Sequence, residues 1–142
     1  MIAVDTNILV CAHRKGAPFH EAALRHVRDL AEGRARWAIP LFCLGEFVRV
    51  VTHPRLFDPP STLEQALGVL EALLQSPSLR VLMPGDDFIT LFADCVRQAD
   101  ARGNLAFDAL IAALCLEHGV GEILTLDRDF SRFPVLQVQN LD

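Results

Sequence analysis

Ile2-Ala3-Val4-Asp5-Thr6-Asn7-Ile8-Leu9-Val10-Cys11 opens the chain with a short apolar run, an acid, two turn-forming polar residues and a second apolar run. The first run reads as a buried strand, Asp5-Thr6-Asn7 as the turn that ends it, and the second run as a short helix through Cys11. Further along, Trp37 to Ile39, Arg80 to Met83 and Ile123 to Leu126 repeat the short-strand pattern, and Val135 to Val138 offers an edge strand. Between them lie helix-like segments. Ala22, Ala23, Val27 and Leu30 recur at helical spacing up to a stop at Gly33, and Pro40 stands at a first helical position before Leu41 to about Thr52. Ser61-Thr62-Leu63-Glu64 has capping-box spacing before a helix whose buried stripe is expected at Leu63, Leu67, Leu70 and Leu74. Asp86 or Asp87 is expected to cap a helix to about Ala101. Leu105 to His118, closed by Gly119, is the most apolar helix, and a turn of helix is expected near Phe130. Short strands alternating with helices, with no long strand of alternating polarity, predict a three-layer α/β domain around a mostly parallel sheet.

A chain of 142 residues is the size of one domain, and residues 1–142 are read as such, with no repeat or linker. Apolar residues make up 51% and charged residues 22%, the balance of a folded globule. Acids interrupt the apolar stretches before they could span a bilayer, and no secretory leader pattern opens the chain, so a cytoplasmic protein is expected. Cys11, Cys43, Cys95 and Cys115 stand singly and read as reduced core residues. A net charge of −5 argues against a uniformly basic nucleic-acid surface but permits a local arginine cluster.

The placement of four acids carries the chemistry. Asp5 separates two apolar runs, Glu46 is the only charge between Leu41 and Val48, Asp108 the only one between Leu105 and Leu116, and Asp127 ends Ile123-Leu124-Thr125-Leu126. A buried carboxylate without a partner costs several kcal/mol or takes up a proton. Lys15 is the only lysine, and the nearest arginines, Arg49 and Arg128, could pair at most two acids. A divalent cation answers all four. Asp5 and Asp127 fall at the carboxyl ends of strands, where open α/β sheets bind ligands. Asp108 lies near the start of its helix, whereas Glu46, nearly two turns into its own, has to lean in from the side. Oxygen ligands without histidine or cysteine favour Mg²⁺ or Mn²⁺ over zinc, and such a site suits phosphodiester hydrolysis. Thr6, Asn7 and Thr125 could orient the carboxylates.

Ile-Ala-Val-Asp-Thr-Asn at the start, Leu-Gly-Glu-Phe around Glu46, Gly-Asn-Leu-Ala-Phe-Asp-Ala-Leu-Ile-Ala-Ala around Asp108 and Thr-Leu-Asp-Arg-Asp-Phe near the end resemble the VapC toxins of bacterial toxin–antitoxin systems, which are PIN-domain ribonucleases. The similarity spans essentially the whole chain, in order. It implies a PIN-like fold, a Mg²⁺-dependent endoribonuclease, and Asp5, Glu46, Asp108 and Asp127 as the four acids, with Asp5 and Asp108 the most direct metal ligands. For the fourth position, Asp127 is preferred to Asp129 because it follows Thr125 at the family's Thr-x-Asp spacing, leaving Asp129 to cap the short helix. The resemblance further implies a cognate antitoxin whose tail covers the cleft, and a homodimer.

Other readings are weaker. A phosphatase of the haloacid-dehalogenase type needs an acid where Asn7 stands, and a phosphotransfer receiver needs a lysine after a late strand. A PIN fold kept only to bind RNA or protein is the alternative from another class. Arg14, Lys15, His53, Arg55 and Arg128 are candidates for phosphate contacts, with ordinary solvated charge as the alternative. Which RNA is cut is not written in the sequence.

Overall fold

The computed structural model describes residues 1–141. Five strands form one sheet in the order β3-β2-β1-β4-β5: β1 (Ile2–Val4), β2 (Trp37–Pro40), β3 (Leu79–Leu82), β4 (Glu122–Leu124) and β5 (Gln137–Gln139). Every pairing is parallel, with Ala3 opposite both Ala38 and Ile123. β1 and β2 are buried almost throughout, as a sheet covered on both faces requires.

The helices are α1 (Thr6–His13), α2 (His20–Glu32), α3 (Leu41–Val51), α4 (Leu63–Leu74), α5 (Phe88–Ala99) and α6 (Leu105–Glu117), with a short 3-10 segment at Arg128–Arg132. From β1 the chain steps outward to β2 and β3, then returns across the sheet to add β4 on the other side of β1. Right-handed crossovers therefore put α1 to α4 on one face and α5 with α6 on the other. The reversal leaves a crevice at the carboxyl ends of β1 and β4, the usual ligand position in such sheets. None of the described helices is long and apolar enough to cross a membrane. All four cysteines are buried and unpaired, as expected.

Several local expectations shift. Pro40 is the last residue of β2, opposite Leu82, and α3 begins one residue later. The capping box is Thr62 with Gln65, because the Ser61 hydroxyl is already bonded to the His13 ring and to Arg14. The leucine stripe of α4 is corrected: of its four members only Leu70 is buried, Leu63, Leu67 and Leu74 are exposed, and Ala66 joins Leu70 inside. Asp87 occupies the N-cap of α5 without a side-chain bond; the Glu117 carboxylate, at the end of α6, accepts from the amides of Gly85 and Asp87. Gly119 ends α6 in the left-handed region, φ +69°, where glycine carries no Cβ penalty.

Candidate active site

The end of β1 delivers Asp5 to the crevice, where its carboxylate is 5% exposed. One oxygen accepts from the Thr6 amide at 2.7 Å, and the other from the Thr125 hydroxyl at 2.7 Å and the Asn7 amide group at 3.2 Å. The Cys43 thiol, from α3, lies 3.8 Å away. Burial pushes the Asp5 carboxyl up to about 6, against the pull of these hydrogen bonds, with Glu46 and Asp127 adding repulsion.

Thr125, fully buried, ties β4 to β1. Its oxygen donates to Asp5 while accepting from the Asp127 amide at 2.9 Å and from Asn7 at 3.2 Å. The Asn7 carbonyl in turn accepts the Leu126 amide. The Thr125 amide still bonds to the Gln139 carbonyl of β5, and beyond it the Leu126 and Asp127 amides turn to the Asn7 and Thr125 side chains that position the acids. The Asp127 side chain then caps the 3-10 segment through the Asp129 amide, at 2.9 Å. The expectation that Asp129 caps this segment is thereby corrected, and its own carboxylate is free to turn inward.

A cavity of about 840 Å³ opens between α3 and α6, and Asp5 itself does not line it. One wall is the α3 face of Phe42, Gly45, Glu46 and Arg49; the other is the α6 face of Asn104, Phe107, Asp108 and Ile111, with Asp127 and Asp129 between. Both sets follow the i, i+3, i+4, i+7 spacing of one helix face. Glu46 therefore does reach the site from the side of the cleft. Asp108, Asp127 and Asp129 each place a carboxylate oxygen within 4.8 Å of the others. Burial, then repulsion from Asp127, Asp5, Asp129 and Glu46, holds the Asp108 carboxyl up to about 7. Asn104 sits at the N-cap of α6 but makes no side-chain cap bond, since the first amides of the helix bond to Arg102, Gly103 and Asn104 carbonyls.

Glu46, Asp108 and Asp127 thus share one cavity, while Asp5 is buried and coupled to all three by charge. Asp129 is the acid that sequence reasoning assigned elsewhere; its proximity to Asp127 was the only signal available. None of the candidate phosphate contacts lines this cavity. Arg14 is committed to Ser61, the Pro59 carbonyl and the face of Phe57, 4.6 Å from the ring centre, and with Lys15 borders a different cavity. The His53 ring accepts the Arg55 amide in a surface turn. Arg49 is the one basic residue lining the acidic cavity among the described residues. Its place three residues after Glu46 was the available clue.

The comparisons agree with this geometry. Residues 2–136 match the PIN domain family. The chain is 32% identical over 133 residues to ribonuclease VapC25 of Mycobacterium tuberculosis, covering 94% of this chain and 93% of that protein. It is 35% identical over 133 residues to the VapC ribonuclease Mb2897 of Mycobacterium bovis, covering 94% and 90%. Two solved structures share the fold: VapBC2 of Rickettsia felis bound to a promoter DNA fragment (TM-score 0.69, 23% identity, 99% and 98% of the chains). The other is VapC20 of M. tuberculosis, a sarcin-ricin-loop-cleaving toxin (TM-score 0.68, 21% identity, 92% and 93%). A parallel sheet in this order, an acid cluster at its reversal point and relatives of this similarity along nearly the full chain have one meaning: the chain belongs to the PIN-domain family, among the VapC ribonucleases.

Proposed function

We propose that this chain is a Mg²⁺-dependent endoribonuclease, the toxin of a toxin–antitoxin pair, with Asp5, Glu46, Asp108 and Asp127 as its metal-site acids and Asp129 at the edge of the site. One observation carries the reading. Carboxylate oxygens of Asp108, Asp127 and Asp129 converge within 4.8 Å beside Glu46, with Asp5 buried and only Arg49 as a basic neighbour in the cavity. Such a crowd is unfavourable on its own and becomes favourable around a cation.

The donor set fits a hard divalent ion. Every candidate ligand is a carboxylate oxygen. When bound, the cation lowers the pKa of an attacking water and offsets charge building on the phosphate. The protein's own residues supply position. Thr6, Asn7 and Thr125 hold Asp5 in one orientation, and the Thr125 bond to the Asp127 amide sets the spacing between the first and fourth acids.

A non-catalytic PIN module that binds RNA or protein remains the rival, and the complete acid set disfavours it. A cognate antitoxin fits the crystallisation of structural relatives from Rickettsia felis and Haemophilus influenzae as VapBC complexes. We extend the same reading to an antitoxin tail over the cleft, a homodimer, a single domain and a cytoplasmic location. The deciding experiment is cleavage of total bacterial RNA by the purified chain with Mg²⁺ and with EDTA, beside Asp108→Asn. Metal-dependent cleavage lost in the variant supports the enzyme; no cleavage, with RNA still bound, supports the module.

A further inference from the structure

Phosphate-bearing RNA has to enter a cavity that repels it. Four carboxylates line or border this space, and only Arg49 opposes them. Arg49 takes part in neither of the two ion pairs among the described residues, so its guanidinium is not spent inside the protein. Across the cavity stands Phe107, 62% exposed. It precedes Asp108 on the first turn of a helix that is otherwise largely buried, and it makes none of the ring contacts that fix Phe42 against Phe88, 6.0 Å apart. A large aromatic held out of the core at the lip of a polar cavity gains nothing from folding there. Gly45 belongs to the same space. It lies inside α3, where glycine is unfavourable, yet a Cβ at this position would meet no protein atom within 4 Å. The room it leaves is not needed for packing.

Resting on the ribonuclease reading above, we infer that Phe107 and Arg49 form a nucleotide subsite beside the acids: Phe107 stacks the base next to the scissile bond and Arg49 takes a neighbouring phosphate. A base can lie flat on Phe107 only when it has left its own stack, so the subsite takes an unstacked nucleotide. Recognition by stacking tolerates different bases, because each has a π-face, whereas the arginine contributes a salt-sensitive contact with no sequence content.

The test compares wild type, Phe107→Ala, Phe107→Trp and Arg49→Gln on a short single-stranded RNA that the wild type cuts, and on the same RNA made abasic on either side of the cut. Phe107→Ala should lower kcat/KM roughly 5- to 150-fold on the intact RNA, the range of one base stack. Phe107→Trp should restore it. On the RNA lacking the stacked base, Phe107→Ala and wild type should be equal. Arg49→Gln should weaken cleavage on all of these RNAs and flatten the salt dependence. A parallel binding series uses the Asp108→Asn background and single-stranded RNA with 2-aminopurine scanned along it, so stacking is read even if no RNA is cut. Quenching at one position that disappears with Phe107→Ala supports the subsite whatever the catalytic outcome. An equal loss on intact and abasic RNA, no loss at all, or a change in sedimentation with unchanged base dependence overturns it, the last marking Phe107 as a protein contact.

Discussion

Replacing Asp5 by asparagine should make the metal-free protein more stable at neutral pH and less so in acid. The Asp5 carboxyl sits at about 6 against an ordinary 3.8, chiefly because burial penalises its charge. A shift of about two units corresponds to about 3 kcal/mol of cost to the folded, ionised state above pH 6. The folded state binds this proton more tightly than the unfolded chain does. Stability is therefore highest below the ordinary value and falls as pH rises from about 3.8 through about 6. Asparagine removes that cost but not without loss. Its amide nitrogen has to face either the Thr6 amide or the Thr125–Asn7 pair, and one mismatched contact costs about 1 kcal/mol. The net expectation is a gain of about 2 kcal/mol at pH 8, shrinking to zero or below near pH 4. Asp108, whose upward shift is partly caused by Asp5, relaxes in the same direction. Urea unfolding in EDTA, followed by fluorescence of Trp37, the only tryptophan and fully buried, reads this directly. If Asp5→Asn is destabilised at pH 8, or if its difference from wild type is the same at pH 4 and pH 8, Asp5 is not a charge whose burial the fold sustains at a cost.

Mg²⁺ affinity should fall as pH drops from 7 through 6, where Asp108 and Asp5 take up protons, and binding should release protons; calorimetry in two buffers of different ionisation enthalpy measures both. Asp127→Asn should reduce cleavage more than Asp129→Asn, because Asp127 is half-buried and its backbone is fixed by the Thr125 hydroxyl beside Asp5, while Asp129 is exposed; single-turnover rates in saturating Mg²⁺ rank them. In α4, Leu70→Ala should cost about 2–4 kcal/mol and Leu63→Gln under about 0.5, as urea melts will report, since only the former is buried.

What was legible in the sequence depended on contrast. Asp5, Glu46 and Asp108 stood out because each is a lone charge in an apolar element; of the three only Asp5 is buried, whereas Glu46 and Asp108 are half-buried because the cavity opens one side of each to solvent. Asp129 gave no such contrast, because an acid in an exposed turn looks the same whether it faces solvent or a cavity. The strands were readable for the same reason as the acids, being apolar and short between clear breakers. The phase of α4 was not. With leucines at 63, 67, 70, 73 and 74 and valine at 69, its apolar residues surround the helix, and only packing against α3 decides that Ala66 and Leu70 go inside. Ser61 and Thr62 were equally good caps by composition, and the choice was made by His13 and Arg14, which approach from a distant helix. Glu117 capping α5 from 30 residues away belongs to the same class: local sequence cannot announce a remote acceptor.

The hydroxyl of Thr125 reaches across 120 residues of chain to the acid that the first strand supplies. On a translating ribosome the two arrive far apart in time. At roughly 5–20 residues per second, Asp5 is made almost at once and Asp127 only some six to twenty-five seconds later. β4 then has still to enter the sheet beside β1. Until it does, Asp5 lacks the Thr125 bond that orients it, although β1 can already pair with β2. Every nascent or prematurely terminated chain that lacks β4 therefore also lacks Asp127 and Asp129 and cannot bring the acids together.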